Sequence, residues 1–207
     1  MSTATETRTE NLSGIVSALE TAHASIREKI GAPRATILVT RKTGRTMGHY
    51  TPWKAWKAGE EKFHEIMISA NYFERGARAV LGTLLHETAH SINDAEGIRD
   101  VSGDKYHNKR FKETAEGLGL TITQAQGIGW SVTDVSDECA TRWAYELSLI
   151  ENALALMADS EQVGKTGGRN KNLNVAKCGC GGKIRLSLAT LEKCSPKCDN
   201  CGEYFRI

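Results

Sequence analysis

The chain has 207 residues, 40% of them hydrophobic and 25% charged, and a formal net charge of +2. Such a make-up suits a globular protein with one good core and a small appendage. No run of about 18 apolar residues is present and the opening MSTATETRTENLSG is polar, which argues against a membrane span or a signal peptide and predicts a cytoplasmic protein with no membrane partner.

Residues 1–11 read as a disordered N-terminus. From Leu12 to Ile30 an amphipathic helix is expected, with Ile15, Leu19, Ala22 and Ile26 at helical spacing and Gly31 and Pro33 to stop it. Three short strands follow, at Ala35–Thr40, Met47–Tyr50 and His64–Ser69, with KTGR (42–45) as a turn, and an antiparallel meander is their natural arrangement. A helix from Arg75 to Asp94, a loop over 95–106 and a short helix from Asn108 to Glu116 come next. One long helix is expected from Asp134 to Ser160, capped by Ser136 or Asp134. Residues 161–176 lose apolar periodicity and read as a linker, and 177–207 form a cysteine-rich module.

The stretch LLHETAH (84–90) carries the first chemical signal. Two histidines four residues apart lie one turn above each other on the same helix face, so His86 and His90 can aim ring nitrogens at one metal ion. Glu87 projects about 100° further round, where it reaches a water beside the metal better than it reaches the metal. That is the station of a general base. Leu81, Leu84, Leu85, Ala89 and Ile92 form the opposite, buried side. A catalytic zinc takes three protein ligands, and Asp100, Asp104, His107 and Glu116 are the downstream candidates for the third. His107 is preferred, because a chain reversal after the helix returns it over His90. His23, His49 and His64 are read as functionless.

Five of the six cysteines fall after residue 177. Cys178-Gly-Cys180-Gly and Cys198-Asp-Asn-Cys201-Gly form two knuckles, and four thiolates around one structural zinc would hold a module too small for a core of its own. Cys194 is the spare ligand, Cys139 a buried helix residue, and KIRLSLATLEK between the knuckles alternates like a hairpin. Charge is uneven: residues 165–207 carry nine Lys and Arg against three Asp and Glu, while residues 1–164 carry 18 against 22. A basic module suggests a polyanion, with Lys177, Lys183, Arg185, Lys193 and Lys197 as candidate DNA contacts.

The pattern LLHETAHSIN followed by YHNKRFKETAEGLGL, preceded by GHYTPW and EIMISANYF, resembles the SprT-like domain of zinc metallopeptidases, a family that includes the Spartan proteases. The resemblance spans about residues 12 to 205. It implies an α+β, minimal zincin-like domain over 12–160 with a C-terminal zinc ribbon. It also implies His86, His90 and His107 as ligands of a catalytic Zn2+ and Glu87 as the base. The expected function is peptide-bond hydrolysis, with a protein substrate that is DNA-bound or DNA-crosslinked; a strand such as HEIMIS would hold it as an added strand. The competing expectation is a nucleic-acid- or protein-binding adaptor whose zinc sites are both structural.

Overall fold

The computed structural model describes residues 3–41, 46–103, 105–158 and 173–207. The turn expected at 42–45, Asp104 and most of the expected linker lie outside the described residues. The chain divides into two compact units, Met1–Gln162 and Val163–Ile207. Its architecture is mixed α+β, built from small sheets and helices.

In the first unit, helix α1 (Thr3–Ile30) precedes the first strand. It begins well before the expected start at Leu12 and occupies residues expected to be disordered. The apolar stripe begins only at Leu12, and before it Ala4, Glu6, Arg8 and Glu10 are good helix formers interspersed with weaker threonines. Ile15, Leu19, Ala22 and Ile26 are fully buried, as their spacing requires.

Strands β1 (Ala35–Thr40), β2 (Gly48–Ala58) and β3 (Glu61–Ser69) form one sheet in the order β1-β3-β2. The expected meander is therefore wrong. β2 and β3 are an antiparallel hairpin, whereas β1 lies parallel to β3 on its other side. β3 takes the centre because it is the strand with most to bury: Phe63, Ile66, Met67 and Ile68 are all core.

Helix α2 (Ala77–Ala95) buries Leu81, Leu84, Leu85 and Ala89, with Ile92 partly buried against the same core. After it come β4 (Val101–Ser102), β5 (Tyr106–His107), α3 (Lys109–Gly117), β6 (Thr121–Ala125) and β7 (Gly129–Asp134), whose strands make a second sheet ordered β4-β5-β7-β6. Asn108 caps α3 by accepting from the backbone of Arg110 and Phe111. The expected long C-terminal helix is two: α4 (Asp137–Arg142), capped by Ser136, and α5 (Ala144–Ala158). The break falls at Trp143, whose indole N–H donates to the Leu118 carbonyl at 2.8 Å from a fully buried position. The backbone leaves helical geometry at this residue, with φ −109° and ψ 31°. Asp134, the other expected cap, ends β7.

In the second unit, β8 (Leu173–Lys177) pairs antiparallel with β9 (Lys183–Ser187), and α6 (Leu188–Cys194) follows. The hairpin expected within KIRLSLATLEK is thus a strand and then a helix. β9 finds its partner upstream, in residues expected to be linker, and Ser187 caps α6 by accepting from Thr190 N–H at 3.1 Å.

Candidate metal centre and its cleft

His86 and His90 stand on one face of α2, and His107, at the end of the two-residue β5, is brought opposite them. Their Nε2 atoms converge: His107 Nε2 lies 3.2 Å from that of His86 and 3.1 Å from that of His90. Nitrogens bound tetrahedrally at about 2.0–2.1 Å sit about 3.3 Å apart, so the spacing fits a zinc-sized ion. The three histidines could hold a metal ion, and among the described residues the group has no fourth His, Cys, Asp or Glu.

Each ring is fixed from behind. His90 Nδ1 meets Asp100 Oδ2 at 2.7 Å, His86 Nδ1 meets Thr133 Oγ1 at 2.8 Å, and His107 Nδ1 meets the Ile128 carbonyl at 3.2 Å. With Nδ1 protonated and donating, Nε2 is left as the lone pair facing the centre. Phe111, fully buried on α3, lies with its ring 4.5, 4.5 and 4.6 Å from those of His86, His90 and His107, and forms the apolar floor beneath all three. Burial, then the charges of the neighbouring rings, holds His86 well below its ordinary value, and burial likewise lowers His107. Both are therefore neutral near pH 7, the form that ligates metal. Burial alone would raise Asp100, but hydrogen bonds from His90 and Asn93 and the His90 charge outweigh it and lower the carboxyl.

Glu87 is buried beside the cluster. Burial pushes its carboxyl up to about 7 against the lowering pull of His90 and of a hydrogen bond from the Tyr50 backbone. β2 crosses it at very short range: a Cβ on Gly48 would lie 2.6 Å from Glu87 Oε1 and 2.6 Å from Thr83 Cγ2. Only glycine permits that approach. Tyr50 ties the same strand to α2, its hydroxyl donating to Asp94 Oδ2 at 2.8 Å and meeting His64 Nδ1 at 2.8 Å. His64 is thus a buried structural partner.

The cluster opens into a cleft of about 1170 Å³, walled on one side by Gly48, Tyr50 and Pro52 of β2. β3, expected to receive a substrate strand, has both edges occupied by β1 and β2. Among the described strands, the outer position beside the cleft belongs to β2. Of the other expected ligand candidates, Asp100 stands behind His90, and Glu116 is exposed, 3.5 Å from Lys112. Thr133, the Ile128 carbonyl and Phe111 were missed: the first two come from the β6–β7 segment, which carries no local motif, and Phe111 from α3, which was read as a helix but given no part in the site. His23 is buried in α1 with Nε2 unpartnered, and burial, followed by the charge of Arg27, lowers it to about 4.

In the second unit, Cys178, Cys180, Cys198 and Cys201 form a possible zinc site. Cys178 Sγ is 3.3 Å from Cys180 Sγ, which is 3.6 Å from Cys198 Sγ. Thiolates on zinc at about 2.3 Å sit about 3.8 Å apart, so these four fit. A hydrogen bond from Asn200 leads in lowering Cys180, while burial leads in raising Cys178. Cys194 is exposed and outside the group. Across the β8–β9 ladder Lys177 faces Lys183 and Val175 faces Arg185, so Lys177, Lys183 and Arg185 share one face. Lys197 lies over the Tyr204 ring at 4.7 Å, and Lys193 stands apart on α6. All five are exposed.

Among the described residues no helix is long and apolar enough to cross a membrane. Comparison with protein-family models finds no match, and comparisons with curated proteins and with solved structures find none either.

Proposed function

We propose that the chain is a zinc-dependent metallopeptidase with a zincin-like, SprT-like first unit, acting on protein substrates, and that its zinc ribbon meets DNA. The observation that carries this reading is the three-histidine group, which among the described residues has no fourth His, Cys, Asp or Glu, placed beside a buried glutamate at the wall of an open cleft. A structural zinc closes its coordination with protein, whereas a catalytic one keeps a position for water or substrate. The adaptor reading leaves Glu87 without a task.

Zinc held by His86, His90 and His107 would supply a Lewis acid, polarising the scissile carbonyl and making a water acidic near neutral pH. The protein's part is positional. Glu87 takes the proton of the attacking water and returns it to the leaving amine. Gly48 and the Tyr50 N–H hold that carboxylate in place, and the outer edge of β2 lays the substrate along the cleft as an added strand. The shared face of Lys177, Lys183 and Arg185 offers phosphate contacts, which would make the substrate a DNA-bound protein.

The test is hydrolysis of a DNA-bound protein by the full chain and by Glu87→Gln, with both metals assayed. Glu87→Gln should keep both ions and lose on the order of 10²–10⁴-fold in rate, the usual contribution of a general base. Undiminished turnover would refute the assignment.

A further inference from the structure

The third histidine is the one ligand that α2 does not place. It sits on a two-residue strand preceded by a turn, and its orientation depends on what holds β5 from outside. Backbone hydrogen bonding from both Ile128 and Lys105 acts on its ring, and the Ile128 carbonyl reaches the residue twice. Ile128 O accepts from the His107 backbone N–H at 3.0 Å and from His107 Nδ1–H at 3.2 Å, so a single acceptor fixes both the backbone and the ring of the same residue. The ring cannot turn about its Cα–Cβ bond without losing the second bond, and the first keeps its pivot in place.

That carbonyl reaches His107 because the next residue is glycine. Gly129 pairs directly with His107 between the parallel strands β5 and β7 and has φ +68°, a conformation that disfavours any side chain. A Cβ there would overlap the His107 carbonyl oxygen and carbon and crowd Tyr106 Cε1 at 2.9 Å. Gly127 also has positive φ, +78°, but a Cβ at that position meets nothing within 4 Å. The two glycines of Gln126-Gly-Ile-Gly-Trp130 therefore differ: Gly127 only shapes the turn, while Gly129 sets the distance between β7 and the metal ligand.

We infer that the Ile128–Gly129 segment is a clamp that positions His107 and sets the metal affinity of the three-histidine centre, with Gly129 as a positioning residue. The inference rests on the metal-site reading above but not on proteolysis. Loss of an outer partner of a ligating histidine typically costs 10- to 100-fold in metal affinity.

The experiment measures zinc stoichiometry and competitive zinc affinity of the full chain for wild type, Gly129→Ala and Gly127→Ala, with metal-free thermal unfolding of the first unit alongside. Gly129→Ala should weaken the histidine centre at least 10-fold and leave the ribbon ion in place, while Gly127→Ala, strained but free of contact with His107, should keep wild-type affinity. Wild-type affinity in Gly129→Ala, or equal losses in both variants, would overturn the clamp. Should Gly129→Ala fail to fold, long-range nitrogen-15 spectra of wild type decide: His107 must carry a slowly exchanging Nδ1 proton and bind zinc through Nε2, and the opposite tautomer overturns the proposal. A wild-type chain that binds only the ribbon zinc refutes the metal-site reading itself, a result distinct from failure of the clamp.

Discussion

The histidine centre and the cysteine ribbon both suit zinc, yet they stand in opposite relation to their folds. Around His86, His90 and His107 lies a core that runs from Ile15 on α1 to Ala153 on α5, and each imidazole is already oriented by a protein partner. In the second unit Ala176 and Cys178 are the buried hydrophobic residues among those described. Cys178 itself belongs to the four-cysteine group that could hold zinc. A site built by its fold can hold an ion in a reactive, incompletely satisfied state, because the fold does not depend on the ion for stability. A site that replaces a core cannot, and closes its coordination with protein.

The largest effect should come from removing that structural ion. Structural zinc contributes apparent binding energies of about 10–16 kcal/mol in small metal-dependent modules, far more than β8, β9 and α6 gain from their packing. Chelation, or Cys198→Ser, should therefore collapse the amide dispersion of residues 173–207, while His90→Ala leaves the resonances of the first unit in place. A ribbon spectrum that survives chelation would erase the contrast.

A smaller effect should belong to the first unit alone. His23 lies at about 4 in the folded state, below its ordinary 6.5, because burial disfavours the charged ring. The unfolded chain then takes up the proton first as pH falls. The contribution of His23 is constant above pH 6.5 and is lost between 6.5 and 4, by about 3 kcal/mol for a shift of this size, while Glu87, raised to about 7, changes stability in the opposite sense over much of the same range. In urea unfolding of the first unit across this range, the stability of His23→Leu relative to wild type should rise as pH falls from 6.5 to 4, by that amount. Parallel curves would remove His23 from the account.

The parts of the site legible in the sequence are those written in short-range spacing. His86, Glu87 and His90 share one helix, and each ribbon knuckle is a few residues long, so spacing alone proposes a shared ion. Asp100 stood among the ligand candidates but sits behind His90 instead, since sequence cannot tell a metal ligand from the residue that orients one. Thr133 and the Ile128 carbonyl belong to the β6–β7 hairpin, which was not read at all: TITQAQGIGWSVTD mixes short alternation with two glycines and buries little. The sheet order was misread for a related reason. The β1–β3 pairing is parallel and spans the intervening β2, and alternation within each strand carries no information about which strand lies beside it.

The most direct test of the central claim is anomalous diffraction at the zinc edge from the full chain. The account predicts two ions: one on Cys178, Cys180, Cys198 and Cys201, and one bound by the Nε2 atoms of His86, His90 and His107, with a fourth, non-protein ligand on the side facing Glu87. A fourth protein ligand closing the histidine site, or Glu87 itself coordinating the ion, would contradict it.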